Sequence, residues 1–166
     1  MKFNYYAFRA MYLHEMDRFK RTLMQSLFSP VLSTSLYFIV FGSVIGGYVE
    51  KIDGISYGSF IVPGLLMLTL LTQSISNTSF GIFFPKFNGT MYEILAAPIS
   101  TFEIVLAFVG AGATKTLLVG VVIFITATFF VEVQVMYPLL MIFLLVLVAF
   151  TFALFGFLIG LMSSNF

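Results

Sequence analysis

The chain alternates between long apolar runs and short polar interruptions, and this pattern predicts an all-α protein that crosses a membrane four times. Each run has about 19 residues or more, which is enough helix for a hydrocarbon core of about 30 Å. The four predicted spans are about 30–48, 59–84, 101–130 and 138–162.

A different pattern precedes the first span. Between residues 4 and 27, large apolar residues recur every three or four positions, which predicts one amphipathic helix lying in the membrane interface. Its apolar stripe consists of Tyr5, Phe8, Tyr12, Met16, Phe19, Leu23 and Leu27. On the opposite side we expect His14 to face solvent and Asp17 to pair with Arg21. Ser29-Pro30 then predicts the cap and first residue of the first span.

Composition supports a membrane protein and narrows its chemistry. Of the 166 residues, 60% are hydrophobic and only 9% are charged, and the mean hydropathy is +1.08. A soluble domain with so few charges could not cover its own surface. The chain has no cysteine and one histidine, which excludes disulfides and thiol catalysis and argues against a transition-metal site. The net charge of +1 gives no indication of nucleic-acid binding, because the basic residues cluster near one end.

The placement of lysine and arginine predicts the orientation. Six of these residues lie before the first span or between the second and third spans, against one, Lys51, on the other side. The six are Lys2, Arg9, Arg18, Lys20, Arg21 and Lys86. The positive-inside rule therefore places the N-terminus and the loop after the second span in the cytoplasm, and four spans return the C-terminus to that side.

The polar stretch between the second and third spans predicts a short helix of its own. Thr90 and Glu93 have capping-box spacing, and Ser100 and Glu103 repeat it at the start of the next span, after a proline has ended the short helix. A loop between two spans normally needs only a few turn residues, so a capped helix at 87–98 predicts that a partner docks there. The predicted docking residues are Phe87, Asn88, Met91, Tyr92, Glu93, Ile94 and Leu95.

Three polar side chains within the predicted spans need partners, because an unpaired amide or amine in lipid is costly. Gln73 and Asn77 share one face of the second span with three hydroxyl residues; they either bond to a neighbouring helix or line a substrate path. Lys115 lies roughly 21 Å along the third span, where it has either a structural partner or a functional role. The glycine-rich stretch before it does not fit a nucleotide-binding loop, because Thr114 replaces the final glycine and the context is a membrane helix.

Two pairs of glycines have the four-residue spacing that permits close helix packing. Gly42 and Gly46 lie near the end of the first span, where the spacing marks either a contact face or a chance match. Gly156 and Gly160 lie near the end of the fourth span and predict a small-residue seam.

Two long stretches resemble the permease subunit of type-2 ABC exporters, in particular bacterial inner-membrane permeases. They are PGLLMLTLLTQSISNTSFGIFF, from Pro63, and FNGTMYEILAAPISTFEIVLAFVGAGATKTLLVGV, from Phe87. The resemblance implies a homodimeric permease, with ATP-Mg bound by a separate ATP-binding subunit and with no catalytic site, metal or cofactor in this chain. It also implies that 87–98 is the coupling helix and that 4–27 contacts the ATP-binding subunit.

The resemblance implies six spanning helices, and the chain departs from that pattern in one respect, because the fifth and sixth spans are absent. We expect residues 1–166 to form a single permease transmembrane domain, truncated after the fourth span. The alternative is a non-transporting four-span scaffold that binds a peripheral cytoplasmic partner through the same loop. A membrane enzyme is not expected, because catalysis needs several ionisable groups within reach and Lys115 is the main one predicted inside the spans.

Overall fold

The computed structural model describes residues 3–45, 51–52, 54–133 and 135–163. Apart from one small hairpin and the connections between elements, this part of the chain is helical. Its helices are α1 (Tyr5–Arg21), α2 (Leu23–Tyr37), α3 (Tyr57–Phe87), α4 (Thr90–Ala96), α5 (Thr101–Phe130) and α6 (Pro138–Met162), and α2 continues as a π-helical segment, Phe38–Ile45. The strands β1 (Lys51–Ile52) and β2 (Ile55–Ser56) pair antiparallel beside Gly54, which has a φ of 82°.

Four helices of the described chain are long and apolar enough to cross a membrane. They are Leu23–Phe41, Tyr57–Phe87, Thr101–Phe130 and Pro138–Met162. The last two have the predicted bounds, and the second extends the prediction by a few residues at each end. The chain is therefore an all-α polytopic membrane protein, as the hydrophobic pattern predicts.

Local signals set the ends of the long helices. At the start of α5, the Ser100 hydroxyl accepts the Glu103 N–H at 3.3 Å and the Glu103 carboxylate accepts the Ser100 N–H at 2.9 Å, so the predicted capping box is confirmed. Pro138 stands in the first turn of α6, where no backbone donor is needed. Ser56 caps α3 by accepting a hydrogen bond from the Ser59 N–H at 3.3 Å.

The N-terminal region differs from the prediction. The helix predicted over 4–27 is interrupted at Thr22, whose backbone leaves the helical region and whose hydroxyl donates to carbonyl oxygens of the preceding turn. The first span begins at Leu23 rather than at Pro30, which lies buried inside α2. Proline is tolerated inside membrane helices because neighbouring groups satisfy the freed carbonyl. The end predicted for this span, near residue 48, lies outside the described residues.

Helix α5 forms the centre of the bundle and contacts α1, α2, α3 and α6. It runs antiparallel to α3, with Gly112 facing Thr78 and Gly120 facing Leu70. A Cβ at Gly120 would lie 2.8 Å from Leu70 Cδ2, and one at Gly112 would clash with the Thr78 hydroxyl. These two glycines therefore allow the helices to approach closely.

Helix α6 packs against α3 along a seam of small residues. A Cβ at Gly156 would lie 2.5 Å from the carbonyl oxygen of Ile75, and one at Gly160 would lie 2.8 Å from that of Ser79. The structure thus places the predicted glycine pair of the fourth span directly on the α3 backbone. For the other predicted pair, Gly42 lies in the π-helical segment and Gly46 lies outside the described residues, so its role in packing stays a prediction.

Candidate functional site

The loop between α3 and α5 contains a short helix, but it is shorter than the predicted 87–98. Helix α3 continues through Phe87, Asn88 closes it, and Gly89 turns the chain with a φ of 77°. The capping box predicted for Thr90 is wrong, because the N-cap residue is Gly89, which has no side chain that could accept a hydrogen bond. A left-handed φ is readily adopted by glycine, and it separates α3 from α4 here.

One side of α4 packs on the bundle and the other side is free. Met91 and Ile94 pack partly against the core cluster around Phe108. Tyr92 is 78% exposed and Leu95 is 64% exposed. We call the exposed set of predicted docking residues the α4 surface; it consists of Phe87, Asn88, Tyr92, Glu93 and Leu95. Exposed aromatic and aliphatic side chains grouped in this way are typical of a protein-binding surface.

Glu103 joins the beginnings of two helices. Its Oε2 accepts the N–H of Ser100 in the capping box, and its Oε1 accepts the backbone N–H of Asn4 at 2.5 Å. Asn4 in turn caps α1, because its side chain accepts the N–H of Ala7 at 3.2 Å. Only 2% of Glu103 is exposed. A single carboxylate thus holds the N-termini of α1 and α5 together, where both helix dipoles favour a negative charge.

Helix α1 lies along the first half of α5. Polar contacts occur at three levels, and their order is the same along both helices, so α1 and α5 run parallel. The contacts are Asn4 with Glu103, Tyr12 Oη with Thr114 Oγ1 at 3.0 Å, and Glu15 with Lys115. The segment predicted as an interfacial helix is therefore fastened to the bundle over most of its length.

Lys115 has a partner in the interior. Its Nζ lies 2.8 Å from Oε2 of Glu15, and the same oxygen lies 2.8 Å from Nη2 of Arg18. Glu15 and Lys115 are each only 3% exposed. Gly81 of α3 lies beside this group, since a Cβ there would be in ordinary van der Waals contact with Glu15 Oε2, at 3.5 Å. We call Glu15, Arg18 and Lys115 the ion cluster, and its geometry favours the structural pairing of Lys115 over an unpaired functional lysine.

Glu15 is the residue that reasoning from the sequence missed. The prediction that Lys115 is the main ionisable group inside the bundle is wrong, because Glu15 and Glu103 are also buried. Glu15 lies four residues from both Met11 and Phe19, which pack against core clusters. This spacing places the carboxylate on the packed face of α1, and it is the feature of the sequence from which the burial of Glu15 could be predicted.

The exposed side of α1 also differs in detail from the prediction. Asp17 Oδ1 lies 3.0 Å from Nζ of Lys20, not beside the predicted Arg21. His14 is exposed, as predicted, and it also lines a groove described below.

The polar face predicted on α3 lies at the side of the bundle. Ser76 is exposed, and Gln73 and Asn77 are half-buried. Two hydroxyl residues of α3, Ser74 and Thr78, are buried. Ser74 donates to a carbonyl oxygen of α6 at 2.6 Å, and the Thr78 hydroxyl has no partner among the described residues. Nδ2 of Asn77 is a buried donor with no acceptor among the described residues. Since an unpaired amide in lipid is costly, this face needs a polar partner or water.

A groove of about 840 Å³ lies between the α1–α2 junction and α3, at the end of the bundle that carries α4. We call it the α1–α3 groove. Its walls include Arg18 and Lys115 of the ion cluster, Asn77, and the rings of Phe80 and Phe84. Throughout the described ranges, no three histidine, aspartate or glutamate side chains converge where they could hold a metal ion.

Comparison with known proteins gives relatives over nearly the whole chain. The chain is similar to the inner membrane transport permease YadH of Escherichia coli (strain K12), with 37% identity over 160 residues, which is 96% of this chain and 62% of the relative. The permeases of the same name from Escherichia coli O157:H7 and Shigella flexneri match with the same identity and coverage. The chain thus spans less than two thirds of the length of these curated relatives.

No solved structure matches the chain significantly. A model of the family described as "ABC-2 type transporter" matches residues 6–166. Because that match covers nearly every residue and agrees with the multi-pass helical architecture, the chain belongs to the ABC-2 type transporter family.

Proposed function

We propose that this chain forms the membrane-spanning part of a permease that exports a substrate across the inner membrane, driven by a separate ATP-binding subunit. The family match and the similarity to inner membrane transport permeases support a transport role. The observation that supports docking of an ATP-binding partner is the α4 surface, which presents Tyr92 and Leu95 to solvent between two membrane helices. ATP-Mg is held by that partner, with α4 facing the cytoplasm as a coupling helix.

The contacts behind α4 give this surface a route into the bundle. The chain passes from α4 to α5 through residues 97–100, and Ser100 at the end of this link forms the capping box with Glu103, which also holds the start of α1. A partner that displaces α4 therefore pulls on both helices. The first half of α5 carries α1 with it, because Thr114 and Lys115 of α5 are hydrogen-bonded to Tyr12 and Glu15 of α1.

The polar face of α3 supports a place for the transported substrate. Ser76 is exposed and Gln73 is half-buried within an apolar span. Polar groups at that depth are stable when they face protein or a water-filled cavity rather than lipid. We propose that a second copy of the permease covers this side, so that the polar face lines the path between the copies.

Cysteine crosslinking tests the docking role, and the chain has no native cysteine to interfere. Tyr92→Cys, co-expressed with the ATP-binding subunit of the same system, is expected to crosslink to that subunit through a short bifunctional maleimide. Met136→Cys is the matched control, because it is 82% exposed but lies just before α6, at the other end of the bundle and outside the span. A membrane-impermeant maleimide added from outside should label Met136→Cys and not Tyr92→Cys.

Two results would contradict the proposal. Labelling of Tyr92→Cys from outside would place α4 on the side that holds no ATP, and equal crosslinking of both variants would show no preference for α4. Crosslinking at Tyr92 without ATP-dependent movement of any substrate by the complete complex would instead support the scaffold.

A further inference from the structure

A cavity of about 690 Å³ lies between α3 and α6, at the end of the bundle opposite α4. We call it the α3–α6 pocket; its floor and rim are formed by Met67, Phe124 and Leu145 and by Ser56, Ser59 and Glu132, respectively. The glycine seam that brings the two helices together lies toward the other end, where Gly156 meets the α3 backbone. Nearer the start of α6 the seam is replaced by larger residues such as Met141, so the helices leave this space between them.

The pocket is closed at the floor and held in shape at the rim. The three floor residues pack against the buried core cluster around Leu70. At the rim, the chain after α5 lies tightly against the start of α3, because a Cβ at Gly58 would lie 2.6 Å from Cγ1 of Val131. From Ser59 to Met67 the α3 axis rises by about 12 Å. A ligand with a hydrocarbon part of that length therefore fits a preformed apolar space.

The two serine hydroxyls at the rim have no hydrogen left to donate. The Ser59 hydroxyl donates to the carbonyl oxygen of Glu132 at 2.8 Å. It therefore accepts the hydrogen of the Ser56 hydroxyl, which lies 2.8 Å away, and the Ser56 hydroxyl accepts the Ser59 N–H at 3.3 Å. Each oxygen keeps a free lone pair, so both hydroxyls can still accept a hydrogen bond. A ligand group that binds to them has to be a donor.

The charge at the rim favours a donor that is also a cation. Glu132 is the one charged residue among the described residues that line the pocket. It is exposed, and within the described chain its carboxylate has no hydrogen bond or ion pair. A group with a positive charge and several N–H donors satisfies the carboxylate and the two hydroxyls together. A primary ammonium group has three such donors.

We propose that the α3–α6 pocket binds a cationic amphiphile, with a primary ammonium group at Ser56, Ser59 and Glu132 and a hydrocarbon part that extends toward Met67 and Leu145. The head then lies at the end of the α3 span and the tail lies within it, as in a membrane-embedded amphiphile. The site shares no residue with the α4 surface, the polar face of α3 or the α1–α3 groove. It is also independent of the proposed ATP-binding partner.

Methionine-methyl NMR of the full chain in phosphatidylcholine nanodiscs tests the site, with octylammonium as the probe. Met67 and Met141 line the pocket, whereas Met91 lies on α4 and reports unspecific partition of the probe into the membrane. We expect saturable shifts of the two pocket methyl groups and no shift at Met91. Octan-1-ol and octanoate have the same chain length and should bind about tenfold more weakly. Octyltrimethylammonium keeps the charge but has no N–H, and it should bind about fivefold more weakly.

Glu132→Gln should lower the affinity for octylammonium about tenfold and leave that for octan-1-ol within about twofold. Because Glu132 is exposed, we expect this variant to fold normally, with an unchanged Met91 signal. Asp17→Asn is the matched control, since it removes a carboxylate charge from an exposed side chain outside the pocket and should change neither affinity by more than about twofold.

Four results would overturn the proposal. Equal affinity for octylammonium and octan-1-ol would show an unselective apolar cavity. Tighter binding of octanoate would assign the rim to the starts of α3 and α6, whose helix dipoles favour an anion. Equal affinity for octyltrimethylammonium would remove the role of the two serine hydroxyls, and an unchanged affinity in Glu132→Gln would remove that of the carboxylate.

Discussion

Replacing Glu15 by glutamine should destabilise the protein more than replacing Lys115 by methionine. The reason is that Oε2 of Glu15 contacts both Lys115 and Arg18 at 2.8 Å. Loss of the carboxylate charge leaves two cations without an anion, whereas loss of the lysine leaves Glu15 paired with Arg18. Glu15 and Lys115 are each 3% exposed, so water cannot take the place of the lost partner.

The expected magnitudes follow from this arrangement. Removing one partner of a buried ion pair costs about 3–5 kcal/mol, and Glu15→Gln belongs in that range. Lys115→Met loses a charge-assisted hydrogen bond and keeps most of the volume, which corresponds to about 1.5–3 kcal/mol. In the double variant the remaining cation is Arg18, which is 34% exposed and reaches the groove. The double variant should therefore lose about as much stability as Lys115→Met alone. This corresponds to a coupling energy between positions 15 and 115 of at least about 2 kcal/mol.

Titration of the purified protein with SDS in mixed micelles, followed by far-UV circular dichroism, gives the free energy of unfolding of each variant. Asp17→Asn is the matched control, because it makes the same chemical change on the same helix. Asp17 contacts Lys20 at 3.0 Å, but these side chains are 55% and 65% exposed, so the loss should stay below about 0.5 kcal/mol. Equal losses in Glu15→Gln and Asp17→Asn, or additivity of the two cluster variants within about 0.5 kcal/mol, would refute the reasoning.

Three further predictions concern helix packing and the helix ends. Gly112→Ala should destabilise the protein by about 1–3 kcal/mol in the same titration, because its methyl group overlaps the Thr78 side chain of α3. Gly64→Ala is the control and should be neutral or stabilising, because a Cβ there has nothing within 4 Å. Glu103→Gln should accelerate amide hydrogen exchange in the first turns of both α1 and α5, because its carboxylate accepts N–H groups at both helix starts. Faster exchange in α5 alone would show that Glu103 does not hold the two helices together. Ser74→Ala should lower the free energy of unfolding by about 1 kcal/mol, because it removes the hydrogen bond to α6. Ser76→Ala is the control and should leave the free energy of unfolding unchanged, because Ser76 is exposed.

The parts of the fold that could be predicted are those that depend on local signals. The bounds of α5 and α6 follow from the capping box at Ser100 and from Pro138, each of which acts within one helical turn. The first span was misplaced because Pro30 has two compatible readings, a helix start or a proline inside a membrane helix. The choice between them depends on packing against α5, which has no local signature.

The candidate site divides in the same way. The position of the α4 surface follows from the polar interruption in an apolar chain, and the structure adds which side of that helix is free. The partner of Lys115 could not be assigned, because Glu15 lies 100 residues away and a charge on an amphipathic helix is normally expected on the solvated side. A single sequence carries no direct record of such a contact. The spacing of Glu15 from Met11 and Phe19 indicates the face, but not the lysine that it meets.

The contacts divide the described bundle into two pairs of helices. The first pair is α1 with α5, which are joined by polar contacts to Glu103 at Asn4 and to Lys115 at Glu15. The second pair is α3 with α6, which pack closely at Gly156. Lys86 of α3 strengthens this second pair, because its Nζ donates to two carbonyl oxygens at the end of α6 at 2.8 Å. Between the pairs, α5 packs against both α3 and α6. These contacts rest on glycines such as Gly120 and on apolar side chains such as Phe108, so they can slide without leaving an unpaired charge. Separating either pair from within would expose a buried carboxylate or free helix carbonyls, and both are costly. We therefore expect any rearrangement that begins at α4 to occur where α5 contacts α3 and α6, with each pair moving as a unit.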